Sequence, residues 1–167
     1  MKDNSSQKFV VLTGAESLLD RYIIEQLNMK NIPVKIFVRC LKYAQRFKTT
    51  TSSLVETKVN QPKTFAGHLE GTHTIISTLS NPSGKNTIFD ICLGYQNNMQ
   101  LLAEAQKSGV KKFICIADIK SDMHKNPKVL EGKNNFISRL KESGIDYAIV
   151  NHNDDYLNHI LFTNKIA

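Results

Sequence analysis

The sequence predicts a doubly wound α/β fold, with a parallel sheet of about six strands and helices on both of its faces. Two observations lead to this prediction. Short continuous apolar runs recur along the chain, as in strands that are covered on both faces. Each run is followed by an amphipathic segment, so strands alternate with helices throughout. The strand order typical of such a series is 3-2-1-4-5-6.

The first unit lies between residues 8 and 39 and has the pattern of a strand, a turn, a helix and a second strand. Residues 9–12 are a continuous apolar run, which predicts a buried strand. Residues 13–15 contain the glycine of a tight turn, and residues 34–38 predict a second strand parallel to the first. The apolar stripe of the intervening helix consists of Leu18, Leu19, Tyr22, Ile23 and Leu27.

The later elements continue the alternation. They are a short helix at 41–48, a polar loop at 49–53, a weak strand at 54–60, a short helix at 64–70, a buried strand at 74–79, a long helix at 87–108, a strand at 113–117, a loop at 118–127 that is long enough for a lid, a helix at 129–142 and a sixth strand at 147–150. We therefore expect a flexible N-terminus at 1–7, one domain at 8–150 and a short C-terminal helical extension at 151–167.

The turn after the first strand is the place where such a fold holds the pyrophosphate of a dinucleotide, because backbone N–H groups and the helix dipole attract anions there. Binding of a dinucleotide at this turn typically uses three glycines. One allows the tight turn, one lets the phosphates approach the backbone, and one lets the helix and the strand pack closely. Gly14 is present, whereas the next two positions of a GxxGxxG register hold Ser17 and Asp20. A serine still fits and can cap the helix, but a carboxylate repels a pyrophosphate. We therefore expect dinucleotide binding to be weak or lost.

Other candidate contacts lie at the ends of neighbouring strands. Arg39 ends the second strand, where an arginine meets a 2′-phosphate, so a bound cofactor is expected to be NADP rather than NAD. A solvated strand end is the alternative for this residue. Residues 78–82, at the carboxyl end of the fourth strand, are expected to face the glycine turn, although their hydroxyls can equally cap a loop. The candidate cofactor-binding residues are Gly14, Ala15, Ser17, Leu18, Arg39, Thr78, Leu79 and Ser80.

Composition and charge argue against several classes of protein. The chain is 41% hydrophobic with a mean hydropathy of −0.29, and no run approaches ~18 apolar residues, so neither a membrane span nor a secretory signal is expected. The net charge of +7 is spread along the chain without interleaved aromatic residues, which argues against nucleic acid. The histidines lack metal-binding spacing. The three cysteines form no CxxC motif, which favours reduced thiols and an intracellular, cytoplasmic location.

Four segments, in their order and spacing, resemble the NmrA-like proteins, which are atypical short-chain dehydrogenases/reductases. They are VLTGAESLLDRYIIEQL, GTHTIISTL, NNMQLLAEAQKSGVKKFICIAD and KNNFISRLKESGIDYAIV, and the resemblance covers residues 8 to 150. It implies a Rossmann-like, NAD(P)-binding domain. Members bind NADP(H) or NAD(H), some as reductases similar to biliverdin reductase B (flavin reductase), others as redox-sensing regulators without catalysis.

The departures from the family pattern fall on the positions that carry chemistry. The family turn, similar to TGATGxIG, reads TGAESLLD here, and Ala117 and Asp118 replace serines after the fifth strand. If Lys133 is the lysine of a YxxxK pair, Val129 stands in place of its tyrosine, so the phenol that would donate a proton is missing. Asp118 as a substitute acid and Lys133 as a ribose contact remain the catalytic candidates, with a loop cap and a surface lysine as their alternatives.

The resemblance and the departures together favour a non-catalytic protein with a regulatory or scaffolding role, acting through a protein partner or as a homo-oligomer. The alternative is an NADPH-dependent reductase of the flavin or biliverdin reductase type. Hydride transfer directly to a bound ring requires little side-chain chemistry, so the alternative tolerates Val129 and Ala117.

Overall fold

The computed structural model describes residues 9–15, 17–58, 61, 64–79, 87–118 and 125–152. This part of the chain forms a six-stranded sheet in which every neighbouring pair of strands is parallel, in the order β3-β2-β1-β4-β5-β6. The strands are β1 (Phe9–Thr13), β2 (Val34–Val38), β3 (Ser52–Glu56), β4 (Thr72–Ser77), β5 (Lys112–Asp118) and β6 (Asp146–His152). The predicted doubly wound α/β fold and its strand order are confirmed.

The helices cover both faces of the sheet. They are α1 (Leu18–Met29), α2 (Leu41–Ala44) with a following 3-10 turn (Gln45–Phe47), α3 (Ile88–Lys107) and α4 (Pro127–Glu142). The sheet has a hydrophobic core on each face, and successive strand residues point to opposite faces. Leu12 packs in the core that contains α1, whereas its neighbour Val11 packs in the core that contains Tyr95 of α3 and Phe136 of α4. This alternation explains the continuous apolar runs, because a strand that is buried on both faces needs apolar residues at every position.

Several local predictions were wrong. Residues 64–67 form a turn rather than a helix, and Gly67 has a φ of +73°, which a right-handed helix excludes. Strand β3 begins at Ser52, inside the stretch predicted as a polar loop, where the buried Ser52 hydroxyl donates to the Phe47 carbonyl over 2.6 Å. Strand β4 ends at Ser77 rather than at residue 79.

The outer edge of the α1 stripe was also predicted incorrectly. Leu18 and Tyr22 are 52% and 44% exposed, whereas Leu19, Ile23 and Leu27 are buried against the sheet. Only a face of about 100° meets the sheet, so residues one step beyond that face remain in solvent.

Some predictions fall outside the described residues. These are the flexible N-terminus at 1–7, the C-terminal helix beyond residue 152 and most of the candidate lid at 118–127. In the described part of the chain, none of the helices has the length and apolar character needed to cross a membrane.

Candidate functional site

The candidate site lies where the carboxyl ends of β1 and β4 meet. These strands are neighbours, but the chain leaves β1 toward β2 on one side and leaves β4 toward β5 on the other. A crevice at such a reversal of strand order is the usual ligand position in an open parallel sheet. Helices α1 and α3, which follow β1 and β4 in the chain, begin at this edge.

Gly14 makes the turn between β1 and α1, and only glycine fits there. Its φ is +126°, and a Cβ at this position would overlap the Thr78 hydroxyl. Thr78 is held by two hydrogen bonds to the Thr13 carbonyl, from its hydroxyl over 2.6 Å and from its backbone N–H over 3.2 Å. The expected approach of Thr78 to the glycine turn is therefore present in the structure.

Ser17 caps α1, and its partner is the Asp20 side chain. Asp20 Oδ2 accepts hydrogen bonds from the Ser17 backbone N–H over 2.8 Å and from the Ser17 hydroxyl over 2.7 Å. The Ser17 hydroxyl accepts in turn from the Asp20 backbone N–H over 3.2 Å, which completes a capping box. Asp20 is only 2% exposed, and its Oδ1 lies 3.2 Å from the position that a Cβ would take at Gly14. A buried carboxylate therefore lies directly beside the glycine turn.

The N-terminus of α3 repeats this arrangement. Asp90 Oδ2 accepts from the Thr87 backbone N–H over 3.0 Å and from its hydroxyl over 2.7 Å. The pKa of Asp90 is held below its usual value, chiefly by the hydrogen bond from the Thr87 hydroxyl and next by the one from the Thr87 backbone N–H. The positive charge of Arg39 lowers this pKa to a lesser extent. Arg39 is exposed after the end of β2, and its charge acts on Asp90 across the crevice. Sequence reasoning missed this pair, although the T-x-x-D spacing is a readable capping signal.

A buried polar network lies beneath the crevice and was also missed. The Thr13 hydroxyl donates to the Ser77 hydroxyl over 3.2 Å, and Ser77 donates to Asn98 Oδ1. Thr13 and Ser77 are the last residues of β1 and β4, and Asn98 lies on α3. All three side chains are almost fully buried. The network joins the two strands to the helix at the floor of the site.

The other predicted site residues are more scattered. Ala15 is buried with a φ of +43°, and Leu79 lies half-buried beyond the end of β4. Ser80 lies outside the described residues. Asp118 is the last residue of β5, where it pairs with His152 of β6.

Helix α4 carries the remaining catalytic candidate. Lys133 is half-buried on α4, one turn after the fully buried Val129. Within the described residues, no cluster of three or more His, Cys, Asp or Glu side chains could hold a metal ion. Cys40, Cys92 and Cys115 are not joined by disulfide bonds within the described residues.

Comparison with known proteins identifies the family. Residues 14–154 match the NAD(P)H-binding family, and the chain belongs to it. The photosystem II assembly factor Ycf39 of Trieres chinensis is 24% identical over 141 residues, which are 84% of this chain and 44% of that protein. Ycf39 of Synechocystis sp. (strain ATCC 27184 / PCC 6803 / Kazusa) is 23% identical, over 84% of this chain and 43% of its own length. The chain thus spans less than half the length of these relatives.

Solved structures share the fold. The NADPH-dependent quinone oxidoreductase QOR2 of Escherichia coli, complexed with NADPH, has a TM-score of 0.66 at 20% identity, covering 90% of this chain and 52% of that one. A nucleoside-diphosphate-sugar epimerase of Staphylococcus aureus has a TM-score of 0.66 at 24% identity, covering 86% of this chain and 50% of that one. The NAD(P)-binding fold of this chain is therefore shared with reductases and epimerases.

Proposed function

We propose that this chain is a regulatory or scaffolding member of the NAD(P)H-binding family, similar to the NmrA-like proteins, which binds a nicotinamide dinucleotide weakly or not at all and transfers no hydride. The observation that carries the proposal is the position of Asp20. Its carboxylate bonds to the N–H and the hydroxyl that begin α1, beside the glycine turn.

The residues at this turn do not fit a pyrophosphate. A phosphate oxygen would have to displace Asp20 from Ser17 and would then lie beside a buried carboxylate. Two like charges about 4 Å apart repel by about 4 kcal/mol at an effective dielectric constant of about 20. That energy corresponds to roughly a thousandfold loss of affinity. Serine at position 17 is compatible with a phosphate, so Asp20 is the obstacle among the residues of this turn that the structure describes.

The N-terminus of α3 is also occupied by a carboxylate of the chain. Asp90 occupies the N-terminus of α3 through Thr87, and the charge of Arg39 acts on Asp90. Residual binding through Arg39 would still favour NADP over NAD.

The positions that carry chemistry in the family support a non-catalytic role. Val129 and Ala117 are apolar and buried, so neither moves a proton. A role through protein contacts agrees with the relatives that are named assembly factors. We further propose that the cysteines, which form no disulfide bond in the described part of the chain, reflect a reducing compartment, the cytoplasm.

A second candidate is an NADPH-dependent reductase of the flavin or biliverdin reductase type. The exposed Arg39 at the end of β2 favours it, because a 2′-phosphate can reach this side chain from solvent. In this case Asp118 would supply an acid and Lys133 a ribose contact.

Mixing the protein with NADPH and a flavin, and following the nicotinamide absorbance, separates the two candidates. We expect no loss of absorbance beyond a control without protein. A protein-dependent loss would contradict the non-catalytic proposal and favour the reductase.

A further inference from the structure

The charges of the molecule are divided unevenly between its two helical layers. Helices α1 and α2 pack on one face of the sheet, and α3 and α4 pack on the other. We define the α1–α2 face as the exposed side chains of residues 18–30 and 41–48, all of which the structure describes. Its exposed charges are one acid, Glu25, and five basic residues, which are Arg21, Lys30, Lys42, Arg46 and Lys48. Helices α3 and α4 together carry five basic and four acidic residues, so their layer is nearly neutral.

Apolar side chains protrude from the same face. Leu18, Tyr22 and Met29 are 52%, 44% and 73% exposed. At 3.6 residues per turn, they fall within about 40° of one another around the axis of α1. They therefore form one stripe, about 17 Å long, on the side of the helix that points away from the sheet. Tyr43 of α2 is 75% exposed and adds a second aromatic ring to the face.

Basic residues accompany the end of the stripe that is far from the crevice. Lys30 directly follows Met29, the last residue of α1, and both side chains are exposed. The segment after the 3-10 turn lies beside them, because the Thr49 hydroxyl donates to Asn28 Oδ1 over 3.3 Å. Lys48, one residue before Thr49, is exposed as well. Two ammonium groups therefore lie near the protruding Met29 side chain at this corner of the molecule.

Protruding apolar and aromatic side chains among basic residues are the pattern of a surface that binds anionic lipid. The apolar groups enter the interfacial region of a bilayer, and the basic groups meet the negative headgroups. A protein partner fits less well, because three of the five basic residues are lysines, which are depleted at protein interfaces. A nucleic acid also fits less well, because a phosphate backbone offers no apolar contact to Leu18 and Met29. Binding at a bilayer surface requires no spanning helix.

We propose that the α1–α2 face is a peripheral membrane-binding surface for bilayers that contain anionic lipid. Helix α1 lies along the bilayer, with Tyr22 and Met29 at the level of the headgroups. Glu25 lies in the same stripe and opposes the contact, which keeps binding reversible. The proposal goes beyond the proposed function and does not depend on the dinucleotide site, because Met29, Lys30 and Lys48 lie at the edge of the sheet opposite to the crevice.

Cosedimentation of the 167-residue chain with large unilamellar vesicles tests the proposal. We expect binding to phosphatidylcholine vesicles that contain about 30% phosphatidylserine, little binding to phosphatidylcholine alone, and weaker binding as salt is added. Lys30→Gln/Lys48→Gln should weaken binding about tenfold or more, because each basic residue near an anionic surface contributes about fivefold. Met29→Gln should weaken binding about threefold through the loss of apolar burial. Glu25→Gln should strengthen it about fivefold.

A matched pair of lysines on the other layer makes the test specific. Lys128→Gln/Lys141→Gln makes the same change in net charge on α4 and should leave vesicle binding nearly unchanged. All the replaced side chains are exposed, so circular dichroism should show that each variant is folded.

No binding to the anionic vesicles at low salt would overturn the proposal. Equal losses from the two lysine pairs, or equal binding to phosphatidylcholine alone, would do the same. Displacement of the chain from the vesicles by a stoichiometric amount of polyglutamate or of a single-stranded oligonucleotide would assign the face to an acidic protein or to nucleic acid instead.

Discussion

Asp20 Oδ2 lies 2.8 Å from the backbone nitrogen of Ser17 and 2.7 Å from its hydroxyl oxygen, so one carboxylate closes the N-terminus of α1. In the family's fold this helix start, beside Gly14, is where an anion binds. The same closure recurs at α3 between Asp90 and Thr87. The two helices that flank the crevice thus each hold an anion that belongs to the chain.

Replacing Gly14 should destabilise the fold strongly. In Gly14→Ala the added Cβ overlaps the Thr78 hydroxyl, and an L residue is strained at a φ of +126°. Urea denaturation should show a loss of roughly 3 kcal/mol in the free energy of unfolding.

Gly132→Ala is the matched control. Its added Cβ would lie 3.6 Å from the Tyr95 Cβ, an ordinary contact, within α4. We expect a gain of up to about 1 kcal/mol from helix propensity. Equal losses in the two variants would contradict the role assigned to the Gly14 turn.

The network beneath the crevice should behave as a coupled unit. Ser77→Ala removes the donor to Asn98 Oδ1 and the acceptor for the Thr13 hydroxyl, leaving buried groups unpaired at a cost of about 1 to 3 kcal/mol. Asn98→Leu added to Ser77→Ala should cost less than the sum of the single changes. Denaturation of all four proteins gives the coupling energy, for which we expect more than about 0.5 kcal/mol. Additive effects would contradict the network.

Asp90 should make stability depend on pH in acid. Its pKa in the folded chain is lowered, chiefly by the Thr87 hydroxyl, so the ionised carboxylate stabilises the folded state. This contribution is fully present above the ordinary pKa of 3.8 and is lost as the pH falls through the lower folded value. Asp90→Asn should therefore have a lower urea midpoint than the unmodified chain at neutral pH. In acid the urea midpoints of the two proteins should become similar.

Thr87→Ala provides the control for this prediction. Thr87→Ala removes the hydroxyl that donates to Asp90. The double variant Thr87→Ala/Asp90→Asn should therefore have nearly the same urea midpoint at neutral pH as Thr87→Ala alone. The prediction would be contradicted if the urea midpoints of Asp90→Asn and the unmodified chain differed as much in strong acid as at neutral pH. The charge of the Asp90 carboxylate would then not be the cause of the difference in stability.

The strands and the main helices were predictable because burial on both faces of a parallel sheet leaves continuous apolar runs, as at residues 9–12. The predicted 64–70 helix was wrong because Gly67, a residue that weakens a short helix, adopts a positive φ that a right-handed helix excludes. The exposure of Leu18 and Tyr22 depends on how α1 is rotated on the sheet, which the periodicity fixes only to within a residue or so.

The candidate site was predictable only in part. The residue type at position 20 indicated an obstacle to an anion, but its hydrogen bonds to Ser17 depend on side-chain geometry. The effect of Arg39 on Asp90, and the link between Ser77 and Asn98, join residues that are distant in the sequence. Such contacts arise only when the strand order brings the carboxyl ends of β1, β2 and β4 to one edge.

A titration with NADPH and with NADH at low salt tests most directly whether Asp20 closes the dinucleotide site. The unmodified chain, Asp20→Gly and Asp90→Asn should be compared, with circular dichroism to show that each is folded, because losing a helix cap costs about 1 kcal/mol. We predict no saturable binding by the unmodified chain or by Asp90→Asn, and saturable binding by Asp20→Gly that favours NADPH. Tight binding of NADPH by the unmodified chain, or no gain in a folded Asp20→Gly variant, would contradict the account.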